Sequence, residues 1–94
     1  MSELELLSVD CIWDEGPHNA FTGLTRWRDR WWCTFREAQD HVSGDGALRV
    51  IASDDGEAWE SAALVSIDAI DLRDPKICVT ADGVLMLVGG ARHR

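Results

Sequence analysis

Positive charge is scarce in this chain. Nine Lys and Arg stand against 17 Asp and Glu, leaving a formal net charge of −8 over 94 residues. A nucleic-acid or anionic-membrane partner needs a basic surface, so both are excluded as expected partners. No apolar run is long enough to span a bilayer. The start, Met-Ser-Glu-Leu-Glu, carries no basic region ahead of an apolar core. The expectation is a cytoplasmic protein with no signal peptide. The three cysteines, Cys11, Cys33 and Cys78, form no Cys-x-x-Cys and no zinc spacing, and are read as reduced core residues. A phosphate-cradling glycine loop, a nucleophile elbow and metal-ligand spacing are likewise missing, so no cofactor and no metal are expected. Helical periodicity is absent too. Residues 34–40 make one turn at most, and the chain reads as all-β.

What is present is a series of short β-branched and aromatic runs punctuated by turn residues. Leu6 to Trp13 reads as a strand that Asp14-Glu15-Gly16-Pro17 ends. Ala20 to Trp27 and Arg30 to Arg36 read as a hairpin about the turn Arg28-Asp29. Residues 37–48 form a polar loop. Arg49 to Ser53 and Trp59 to Val65 are two further strands. Ser66 to Leu72 is a connection, Arg73 to Thr80 a strand, Ala81-Asp82-Gly83 a turn, and Val84 to Gly89 a last strand.

The organising stretch is Ala52-Ser53-Asp54-Asp55-Gly56-Glu57-Ala58-Trp59. An Asp side chain can accept bonds from the turn's own backbone N–H groups, Gly tolerates positive φ, and Trp59 can fold back over the turn. The spacing Asp54-x-Gly56-x-x-Trp59 resembles the Asp-box (BNR repeat) of the sialidase-like β-propellers, although Ala52 and Ala58 stand where that family usually has hydroxyl residues. Cys33-Thr34-Phe35-Arg36-Glu37 and Asp71-Leu72-Arg73-Asp74-Pro75 resemble bacterial sialidase-family sequences as well. The resemblance spans roughly residues 18 to 90. It implies a propeller fold in which Asp54, Gly56 and Trp59 form a structural turn away from the active face.

An internal echo fits that reading. Asn19 to Glu37 aligns without gaps on Arg73 to Ala91, an offset of 54 residues, near the ~40–50 residues of one four-stranded propeller blade. The expected organisation is an outer strand (6–13), a complete blade (20–65, with the Asp-box at 52–59) and the inner strands of the next blade (73–90). Propellers close with about 4–8 blades, so one blade and parts of its neighbours must close by oligomerisation or belong to a longer chain. The leading Met favours self-assembly, for example a trimer closing six blades. The first strand would then complete a neighbouring copy's last blade by strand addition. A local likeness with a different arrangement of strands is the third possibility.

Up-and-down strands would gather His18, Asn19, Arg36, Glu37, His41, Arg73 and Asp74 on the rim opposite the Asp-box. The resemblance implies glycans as ligands, with Arg36 and Arg73 binding a sugar carboxylate, His18 and His41 beside them, and Glu37 or Asp74 as acid/base. Arg73-Asp74-Pro75 also resembles the Arg-Asp-Pro motif of five-bladed furanosidases. The chain has no Tyr nucleophile and no Arg-Ile-Pro motif, both usual in sialidases. The bland alternatives are an Arg73–Asp74 ion pair with Pro75 setting the strand entry, solvated Arg36 and Glu37, and surface histidines. Trp31 and Trp32 are expected to pack between blades rather than to stack on sugars. Two functions stay open: a glycoside hydrolase-type propeller unit, active or vestigial, and a non-catalytic self-assembling or carbohydrate-binding module.

Overall fold

A computed structural model describes residues 3–93. Six strands follow in chain order: β1 (His18–Trp27), β2 (Arg30–Ala38), β3 (Ala47–Ser53), β4 (Glu60–Val65), β5 (Ile70–Val79) and β6 (Leu85–His93). β1-β2-β3-β4 form one antiparallel sheet and β5-β6 a second. No helix occurs among the described residues, so the protein is all-β, and neither sheet closes on itself. It follows that no helix in this region is long and apolar enough to cross a membrane.

Local chemistry explains the turns. Arg28 and Asp29 both have positive φ (50° and 60°), the two-residue hairpin geometry that matches strand twist. Arg28 offsets part of that strain by laying its guanidinium over the Trp27 ring at 4.2 Å. The β5–β6 turn is one residue longer. Thr80 N–H donates to Val84 O at 2.8 Å, and Gly83 takes φ +83°, the place where only glycine sits without strain.

The four-stranded sheet buries both faces, differently. Cys33, Phe35 and Ile51 share one face, and Ile12, Trp13 and Trp59 pack against them. This is the strap face, because a segment outside the sheet covers it. Thr34, Arg36, Leu48 and Val50 alternate onto the opposite, stacking face, which meets the second sheet at Ile77 and Gly89. Gly23 sits at that meeting: a Cβ there would lie in ordinary contact with Ile77, 3.5 Å from its nitrogen and 3.7 Å from its Cγ2. Burying Phe35 and Ile51 contributes about 1.5–3 kcal/mol each.

Residues 3–15 contain no strand, which corrects the expectation of an outer strand over 6–13. A strand needs a neighbour to satisfy its backbone N–H and C=O groups, and no sheet edge pairs with this segment. Leu4, Leu6, Leu7 and Val9 are exposed, and only Ile12 and Trp13 are anchored. The cysteine expectation is corrected in part. All three thiols are free, but Cys33 alone is buried, and burial raises its pKa.

The internal echo has a structural counterpart. Both β1–β2 and β5–β6 carry a bulge on the first strand, between Ala20 and Gly23 and between Arg73 and Lys76. Each bulge holds one non-glycine residue at positive φ, Phe21 (63°) and Asp74 (49°). The pairs flanking the bulges correspond as well: Ala20↔Arg36 with Arg73↔Gly90, and Gly23↔Thr34 with Lys76↔Val88. The true offset is 53 residues on the first strand and 54 on the second, because the second turn is longer. The ungapped alignment is therefore right for β2 on β6 and one residue off for β1 on β5.

Candidate functional site

The strongest polar constellation lies where the β2–β3 loop meets β5, and it is organised by Asp71. Asp71 is 2% exposed and Arg36 0%. Arg36 donates to Asp71 Oδ1 through Nε at 3.2 Å and Nη2 at 3.0 Å. Its remaining bonds run to the carbonyls of Asp40 at 3.0 Å and Ser43 at 2.6 Å. Gly46 N–H donates to the same Asp71 oxygen at 2.9 Å, and Leu72 N–H donates to Gly46 O at 3.0 Å. A buried ion pair holds only when its other lone pairs and protons are also satisfied, and here the loop backbone does that. Gly46 must be glycine, because a Cβ would overlap Asp71 Oδ1, the Leu72 carbonyl and Arg36 Nε.

Arg73 joins from the side, donating to Asp71 Oδ2 at 3.4 Å and to the His41 carbonyl at 3.1 Å. The His18 and His41 rings meet edge to face with centroids 5.6 Å apart, and Phe21 lies 5.5 Å from His41. The rim expectation thus gathers Arg36, Arg73, His41 and His18 at one end. Arg36 binds a carboxylate there, but an internal one: its guanidinium is buried and engaged, so no ligand reaches it. Asp71, missed as part of a connection, is the centre. Its only sequence signal is an acid between Ile70 and Leu72 in an alternating run, a pattern shared with many solvated positions.

Glu37 faces the other way, as the neighbour of Arg36 in a strand must. On the strap face it accepts from Arg49 at 2.8 Å and from Trp13 Nε1 at 3.2 Å. The Arg49 bonds, helped by Trp13, hold its carboxyl below the ordinary glutamate pKa against the opposing effect of burial. Asp74 is exposed in the β5 bulge. Glu37 and Asp74 are therefore not brought to one point. Two buried polar atoms at this end, His18 Nε2 and Asn19 Oδ1, have no hydrogen-bond partner, each costing about 1–3 kcal/mol.

At the opposite end residues 52–59 form a self-bonded turn, with the carboxylate role one residue later than the spacing suggests. Asp55, not Asp54, supplies the carboxylate. Its Oδ1 accepts from the N–H groups of Glu57 at 2.9 Å and Ala58 at 3.0 Å, and Ser53 Oγ accepts from Gly56 N–H at 2.8 Å. The Ala58 and Glu57 bonds lower the Asp55 pKa. Gly56 takes φ +79°, and Trp59 Nε1 closes onto the Gly56 carbonyl at 3.1 Å. Asp54 points outward and pairs with Arg30 Nε at 2.7 Å, while Glu60 takes Arg30 Nη2 at 2.7 Å. Ser53 followed two residues later by an acid was the local signal for this arrangement.

No described group of three or more His, Cys, Asp or Glu is placed to hold a metal ion. Fold and site together define an all-β protein of two antiparallel sheets, joined through a buried arginine–aspartate network. The chain matches no family model, no curated protein and no solved structure.

Proposed function

We propose that this protein is a non-catalytic, self-assembling module of the β-propeller kind. Its four-stranded sheet serves as one blade, its second hairpin as the inner half of the next, and further copies supply the missing neighbours. The observation that carries this reading is the pair-for-pair correspondence of β5–β6 with β1–β2, bulge included. Repeat units of this type bury their faces by stacking on one another. Here the second unit still exposes Val84, Met86 and Val88. The N-terminal apolar residues Leu4, Leu6, Leu7 and Val9 are exposed as well, as suits a segment whose partner strand lies in another molecule.

The hydrolase alternative has less support. A general acid needs a carboxyl with a raised pKa, and the Glu37 pKa moves down. Arginine capture of a sugar acid at Arg36 is blocked by burial, which leaves Arg73, Asp74 and the two histidines as a rim where a glycan can be held without turnover. Light scattering after gel filtration tests the assembly reading. A discrete oligomer of the 10.5 kDa chain is expected, and a well-folded monomer overturns it. A panel of aryl glycosides tests the alternative. Turnover lost in Glu37→Gln or Asp74→Asn would restore the enzyme.

A further inference from the structure

The repeat makes a definite prediction about which surfaces meet, because the chain already contains one example of the contact. The stacking face of the first hairpin, through Gly23 and Thr34, lies against the second hairpin's face bearing Leu72 and Ile77. By the register correspondence, Ile77 is the counterpart of Leu24, and Leu87 that of Cys33. The second hairpin therefore meets the first with its equivalent of the strap face. Its other face, carrying Lys76, Cys78, Met86 and Val88, is the equivalent of Gly23, Thr25, Trp32 and Thr34. That face is bare: Val88 is 50% and Met86 42% exposed. At the far side of the molecule Ile12 and Trp13 cover the β2–β3 part of the strap face. The β1 part stays open, with Leu24 59% exposed.

The chain thus presents the two halves of the contact it makes internally, one at each end. We propose that copies of this protein stack head to tail, the bare face of β5–β6 receiving the open β1 part of the strap face of the next copy. This rests on the assembly reading above and adds the surfaces, the direction and the register. Gly23 faces Ile77 within the chain, so Lys76 of one copy sits over Leu24 of the next. Such a contact joins unlike surfaces. It produces a ring if the rotation per copy closes and a filament if it does not. The occupant is a second copy because the covering surface required is the one this chain already uses on itself.

Two variants test the inference, in a background with Cys11→Ser and Cys78→Ser that leaves only the buried Cys33. One carries Leu24→Cys and the other Lys76→Cys. Oxidation of a mixture is expected to give a disulfide-linked dimer that neither variant gives alone. Linkage within the Leu24→Cys sample alone would mean that like surfaces meet, and would overturn the head-to-tail contact. In parallel, Val88→Asp is expected to drop the mass to that of the single chain with the far-UV circular dichroism unchanged. Ala62→Asp, exposed on β4 at the sheet edge opposite β1 and outside the β5–β6 sheet, is expected to keep the wild-type mass. An oligomeric wild type that gives no mixed dimer overturns this interface and leaves self-assembly standing. A monomeric wild type overturns both.

Discussion

The two hairpins share a register and differ in surroundings. β1–β2 continues into β3 and β4, and its residues Cys33, Thr34, Phe35 and Arg36 are buried. β5–β6 has the same bulge and the same cross-strand correspondence, yet it buries little beyond Asp71, Leu72, Pro75 and Ile77 of its first strand. Backbone pattern is therefore not what separates a core strand from a surface one here. The difference lies in what each position carries and what lies against it. Phe35 has Gly89 as its counterpart, and Gly89 leaves only tight room beside Leu48. Arg36 has Gly90, so the ion pair that locks the first unit to the second has no repeat in the second.

Breaking that lock is the largest expected effect. Asp71→Ala strands the buried Arg36 guanidinium, and removing one partner of a buried pair costs about 3–5 kcal/mol. Urea denaturation measures it. A loss under about 1 kcal/mol would show the pair to be dispensable and the sheets to be held by Leu72 and Ile77 alone. Next is Gly46→Ala, which forces the β2–β3 loop off Asp71. Overpacking of this kind costs about 1–3 kcal/mol, and a neutral result would mean that the loop adjusts.

Ser53→Ala removes the hydroxyl that Gly56 N–H uses at the opposite end. A loss of about 1 kcal/mol in thermal or chemical unfolding is expected. Acid should act through Glu37 and Asp55, whose pKa values are lowered in the folded state. Their contribution is present above the unfolded carboxylate range near about 4 and is lost as pH falls through the folded values. Unfolding midpoints should drop below that range. Glu37→Gln should flatten the decline, and an unchanged slope would remove Glu37 from the account. The smallest effect is Asp74→Gly, which relieves a left-handed residue in the second bulge and shifts stability by no more than about 1 kcal/mol.

Much of the fold was legible. The Arg28-Asp29 and Ala81-Asp82-Gly83 turns, the runs that became β2, β3 and β4, and the duplication all show as local punctuation and period-two alternation. Two misreadings have one cause. The ungapped alignment slipped by a residue at the longer second turn, and the Asp-box spacing named Asp54 where Asp55 caps the turn. A one-residue slip reverses which face a side chain takes, and short motifs do not contain the information that fixes it. The segment 6–13 misled for another reason. Its apolar alternation is real, but a strand exists only beside a partner.

The candidate site was harder to read. Strand direction alone points to seven rim residues, and four of them, His18, Arg36, His41 and Arg73, do adjoin. Glu37 left the group by alternation, and Arg36 was taken for a ligand-binding arginine when it is bonded inside the fold. Its partner Asp71 stands 35 residues away in sequence, beyond the reach of any local pattern.

By itself, the sequence determined the all-β character, the positions of the tight turns and the existence of a repeated hairpin. Turn chemistry and alternation act between residues a few positions apart, so the order of amino acids is enough to specify them. Only the tertiary structure decided which acid neutralises Arg36, which residue caps the turn at 53–59, where the bulges fall, and which faces are left bare. Those outcomes depend on pairing between distant segments, where one residue of register moves a side chain from core to solvent.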